Sequence, residues 1–140
     1  MPFAAGLALA LSAVLNPAFI SAPSTPATLP VAQTVEQYVD SYFADVPAMI
    51  KVASCESQFR QFTKDGTILQ NSKSSAVGVF QIMASIHQDL ADQNLGLDIY
   101  TVQGNVAYAK YLYDTQGLKP WAASRACWSK NDSSKVALSN

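Results

Sequence analysis

The chain has 140 residues, 49% of them apolar and 14% charged, and its 9 Lys and Arg against 10 Asp and Glu leave a net charge of −1. That length holds one domain of ordinary size and a short appendage, and the scattered cations exclude the basic surface that nucleic-acid binding needs. Two cysteines and one histidine are too few for a structural zinc site.

Residues Phe3 to Leu15 form an apolar stretch rich in Ala and Leu, of signal-peptide length and shorter than the roughly 20 residues that span a bilayer. No Lys or Arg precedes it, and a cut after Ala22 would leave Pro23 at the new terminus, so an uncleaved anchor and a buried N-terminal helix are alternatives to a cleaved signal. The expectation is an exported protein (periplasmic, wall-associated or extracellular) whose only membrane contact is through residues 1–22. Residues 23–33, rich in Pro and small polar residues, read as an extended linker. The folded domain is expected over 34–128, with a polar tail over 129–140.

Within the domain, Thr34 and Gln37 have the spacing of a capping box, and Val35, Tyr38, Val39, Tyr42, Phe43 and Val46 follow at helical spacing. A second helix is expected to start near Asp45 to Pro47, with Asp45 as a cap candidate and Pro47 in its first turn, and to end shortly after Glu56. Asp65-Gly66 between β-prone residues predicts a hairpin over Phe62 to Leu69. A helix through Ile86, Leu90 and Leu95 follows, then a longer one from Thr101 with Gly117 as its C-terminal cap. Trp121 to Trp128 forms a last short helical segment. The fold class is mainly α with one small β-hairpin. Cys55 and Cys127 form a disulfide if the chain is exported, or two buried thiols if it is not.

Glu56 ends the second predicted helix among Val52, Ala53, Cys55 and Phe59. A carboxyl in such a half-apolar wall has its charged form disfavoured, which moves its pKa toward the working range of a general acid. An arbitrary helix glutamate is nevertheless most often solvated, so spacing alone does not decide its role.

Three segments in order narrow the choice: Cys55-Glu56-Ser57-Gln58-Phe59, Gly78-Val79-Phe80-Gln81-Ile82-Met83, and the run from Asn105 to Leu112. Together they resemble the signatures of the soluble lytic transglycosylase family of the lysozyme-like superfamily, over roughly residues 45 to 128. The resemblance implies a lysozyme-like α+β domain that acts on the glycan strands of peptidoglycan. By that match Glu56 is the catalytic acid, Ser57 helps to hold its carboxyl and Gln81 lines the sugar groove, with a buried amide that caps a loop as Gln81's other reading. Phe80, which replaces a more usual methionine, contacts a sugar face or fills the core. Asn105 and Tyr111 come from the helix behind the groove, with core packing as Tyr111's other reading. The Cys-Glu-Ser segment with a late Cys before Trp also resembles the resuscitation-promoting factors, which implies a Cys55–Cys127 disulfide beside the active site. Where the transglycosylases often carry Ala-Tyr-Asn, this chain has Trp121 to Trp128 instead, so Trp121, Ser124 and Arg125 compete for the place that completes the site.

Most glycosidases use two carboxylates. The acidic residues after Glu56 are Asp65, Asp89, Asp92, Asp98, Asp114 and Asp132, and none lies in a motif that marks it as a partner. The resemblance therefore implies a single-carboxylate reaction that leaves 1,6-anhydromuramic ends. The rivals are a hydrolytic muramidase using Asp65 or Asp98, and a non-catalytic module that binds peptidoglycan. Nothing in the sequence calls for a cofactor or a metal, and a monomer is expected.

Overall fold

The computed structural model describes residues 32–130. The expected signal or anchor over 1–22, the linker up to residue 31 and the tail from residue 131 lie outside the described residues.

Helix α1 spans Val35–Tyr42 and opens on the capping box: Gln37 N–H donates to Thr34 Oγ1 at 3.2 Å, and Thr34 N–H donates to Gln37 Oε1 at 2.9 Å. Two of the otherwise unpaired donors at the helix start are thereby satisfied. Val39 and, just past the helix, Phe43 bury completely, whereas Tyr42 stays 40% exposed. Helix α2 spans Pro47–Ser57 with Pro47 in its first turn. Its N-cap is Val46, which makes no side-chain cap bond, rather than the expected Asp45. The fixed φ of proline starts this helix without help from a capping carboxylate.

The paired strands form later than expected. The turn at Asp65-Gly66 exists, with Gly66 at φ 83°, but its flanks meet in one bridge only, Phe62 with Ile68. The Asp65 carboxylate accepts from the hydroxyls of Thr63 and Thr67, so side-chain bonds close the turn, while of its apolar flanking residues Phe62 stays 45% exposed and Ile68 buries only in part against the core. The antiparallel pair is instead β1, Ala76–Val77, and β2, Ile82–Met83, with Ala76 opposite Met83 and Val77 opposite Ile82. Here Val77, Val79, Phe80 and Ile82 all enter the core, and their burial stabilises the pairing.

Helix α3, Ala84–Asp89, continues into a π-helical turn over Leu90–Asn94. Helix α4, Val102–Gln116, starts on Thr101, whose hydroxyl accepts from Gly104 N–H at 3.0 Å, and stops at Gly117 with φ 63°. A 3₁₀ segment, Lys119–Ser124, and helix α5, Arg125–Trp128, close the domain. The described residues are thus mainly helical with one small hairpin. An edge-to-face aromatic series, Phe43–Phe80–Trp121, runs through the core with ring centroids 5.3 and 6.0 Å apart.

Two buried amides pin the turn between β1 and β2. Asn105 Oδ1 accepts from Phe80 N–H, and its Nδ2 donates to the carbonyls of Val77 and Ile99. Gln61 Oε1 accepts from Val79 N–H, while its Nε2 donates to Ile99 O. A Cβ at Gly78 would sit 2.3 Å from Gln61 Oε1 and 2.6 Å from Asn105 Nδ2. Glycine is required there both by that approach and by φ 72°.

Candidate active site

Helix α2 ends in an unusual way. Gln58 and Phe59 both take left-handed backbone, φ 56° and 58°, a conformation that costs non-glycine residues roughly 1–2 kcal/mol each. Ser57 holds this exit. Its buried hydroxyl donates to Val79 O at 2.7 Å and accepts from Arg60 N–H at 3.0 Å. The serine thus fastens the end of α2 to the β1–β2 turn, and Glu56 is the last carboxylate before the bend.

The side chain of Glu56 is half-buried, and burial raises its pKa, with a smaller opposing effect from a hydrogen bond to Ser124. Ser124 Oγ lies 2.5 Å from Glu56 Oε1 and 3.2 Å from Trp121 O. One hydroxyl proton serves both protonation states of the acid. With Glu56 ionised, Ser124 donates to it. With Glu56 protonated on Oε1, the carboxyl donates to Ser124, which turns its own proton to the Trp121 carbonyl. Glu56 Oε2 has no hydrogen bond from any described residue.

Trp121 carries the link onward. Its Nε1 donates to Phe80 O at 2.9 Å, so a chain of bonds runs from Glu56 through Ser124 and Trp121 to the residue before Gln81. Gln81 has φ 49° and donates from Nε2 to Gly78 O at 2.9 Å. With Met83, Ile86, His87 and an edge of Trp121 it lines a recess of 220 Å³. No protein-family model, curated protein or solved structure matches the chain.

Several expectations change. Phe80 and Asn105 have no exposed surface, so neither touches a sugar; one fills the core and the other holds the turn backbone. Ser57 does not contact the Glu56 carboxyl, because its hydroxyl points inward to Val79 O; Ser124 makes that contact instead. Tyr111 packs against the core with its ring 5.6 Å from Tyr108, and it lines no part of the recess under Gln81. Trp121 is 4% exposed and serves chiefly as a buried strut. Cys55 and Cys127 form the disulfide, with Cα atoms 6.1 Å apart. Of the three late candidates, Ser124 is the one that reaches Glu56.

His87 also lines this recess, and no motif or spacing marks it. Its Nδ1 lies 3.0 Å from the hydroxyl of Tyr108, 21 positions away, and burial lowers its pKa. The ring is therefore neutral at pH 7 and offers the recess a polar edge without a charge.

Removing the Ser124 hydroxyl tests the arrangement. Its bond favours the charged carboxylate, so Ser124→Ala should raise the Glu56 pKa further. An acid that works protonated then keeps its proton to higher pH, and the falling limb of the pH–activity profile should move toward alkali. The maximal rate should drop about tenfold with the lost positioning bond. A pH–rate profile with an unmoved limb would remove Ser124 from this role.

Proposed function

We propose that residues 34–128 form a lysozyme-like lytic transglycosylase domain of an exported protein. It cleaves the β-1,4 bond between N-acetylmuramic acid and N-acetylglucosamine in peptidoglycan. The observation that carries this reading is the half-buried Glu56, with its raised pKa and a hydroxyl partner suited to both of its protonation states.

In the proposed reaction Glu56 Oε2 delivers its proton to the bridging glycosidic oxygen as the C1–O bond breaks. The muramic 6-hydroxyl then closes on C1 and returns its proton to the Glu56 carboxylate. One group acts first as acid and then as base, and the intramolecular attack needs no positioned water. Gln81, whose neutral amide lines the recess, supports the reading as a sugar-binding residue. A disulfide is compatible with export.

The hydrolytic alternative needs a second carboxylate. Asp65 is occupied by Thr63 and Thr67, whose hydrogen bonds lower its pKa. Asp98 Oδ1 accepts from Tyr100 N–H at 2.9 Å in the turn before α4. Both carboxylates are tied into local turns, and that engagement favours the single-carboxylate route. Mass spectrometry of digested glycan strands decides between them. Transglycosylation yields fragments lighter by one water than those of hydrolysis, and hydrolytic fragments alone would overturn the proposed chemistry.

A further inference from the structure

A second recess, of 410 Å³, lies against the C-terminal segment. Lys119 and Ala122 lie three residues apart on the 3₁₀ segment, one turn of such a helix, and Arg125 and Trp128 lie at the two ends of α5. All four line the recess, with Gln116 and Leu118 completing it. No acidic side chain is among the lining residues, and the ion pair found among the described residues, Lys110 with Asp114, involves neither cation. Trp128 Nε1 donates to Trp121 O at 2.9 Å, which fixes the indole and leaves its apolar ring as wall. The same carbonyl accepts from Ser124, the partner of Glu56. Trp128 in the wall of the cationic recess and Ser124 beside the candidate acid thus share one backbone acceptor.

We propose that this recess binds the carboxylates of the peptide stem carried by muramic acid, so that the site prefers peptide-bearing glycan to bare glycan. The inference rests on the substrate class proposed above. Arg125 offers a planar fork matched to a carboxylate and Lys119 a mobile second charge, while Leu118, Ala122 and Trp128 suit the apolar parts of a peptide better than a small inorganic anion.

The test is a titration of the protein with N-acetylmuramyl-alanyl-glutamate, read by calorimetry and tryptophan fluorescence. The free diacid should bind about tenfold more tightly than its diamide, since two partly solvated charge pairs contribute modestly. Binding should weaken as salt rises. The double variant Lys119→Gln, Arg125→Gln should lose the same factor with an unchanged melting temperature, because both side chains are exposed. Equal affinity for diacid and diamide, undiminished binding by the double variant, or displacement by an equal concentration of inorganic phosphate would each overturn the assignment. Cleavage of peptide-free glycan by the wild type is read separately. Cleavage without diacid binding removes the recess and spares the enzyme; diacid binding without any cleavage does the reverse.

Discussion

Glu56→Gln should reduce release of glycan fragments from purified cell walls by at least about 10³-fold, toward the upper range for loss of a positioned acid–base group, while the protein stays folded. Glutamine keeps the shape of the side chain and its Oε1 can still accept from Ser124, so the contact at the end of α2 survives. What disappears is the proton that the proposed reaction delivers to the leaving oxygen. Stability should move the opposite way. Burial raises the Glu56 pKa in the folded protein, so between the unfolded and folded values the unfolded chain has released a proton that the native state retains. Stability falls as pH climbs through that window, and the cost persists above it. The glutamine variant escapes it and should melt at or above the wild-type temperature at pH 7, with the advantage vanishing in acid. A purified, folded Glu56→Gln protein that still cleaves would end the catalytic assignment. A variant that melts lower at pH 7 and at pH 4 alike would show that the carboxyl is structural.

Much of the scaffold was legible in the residues because local rules and tertiary packing agree there. Thr34 and Gln37 have no competing use, so their capping box forms as the spacing predicts, and Thr101 and Gly117 bound α4 for equally local reasons. Asp65-Gly66 marked the turn, but the hairpin expected around it shrinks to a single antiparallel bridge, Phe62 with Ile68. Turn chemistry is local, whereas strand pairing depends on which flanks have a core to enter, and that core was supplied by residues 76–83. The site divides in the same way. The motifs single out Glu56, Ser57, Phe80, Gln81 and Asn105 alike, but motif cannot separate a residue that faces a ligand from one that holds the backbone behind it. Asn105, Phe80 and Ser57 turned out to be of the second kind. Each is buried, and Asn105 and Ser57 spend their polar atoms on the β1–β2 turn or on the bend after α2. Ser124 and His87 depend on contacts across 68 and 21 positions, which no periodicity records.

The disulfide joins these levels, and cutting it should have the second large effect. Cys55 immediately precedes Glu56, and Cys127 follows Ser124 by three residues, so both halves of the Glu56–Ser124 contact sit beside the Cys55–Cys127 bond. The bond closes a sequence separation of 72, which restricts the unfolded chain enough to stabilise the domain by about 4 kcal/mol on the loop-entropy account. Cys127→Ser should therefore melt about 20 °C lower, taking the usual sensitivity of a domain of this size. The last segment does not come loose altogether, because Trp121 Nε1 remains bonded to Phe80 O and Trp128 Nε1 to Trp121 O. Activity measured well below the new melting point should thus fall through kcat more than through KM, as Ser124 spends less time against the acid. Cys127 is exposed, so a small dithiol can reach the bond, and reduced wild type should reproduce the variant while the variant itself ignores reductant. Coincident melting curves for oxidised wild type and Cys127→Ser would show that the domain closes around Glu56 by packing alone.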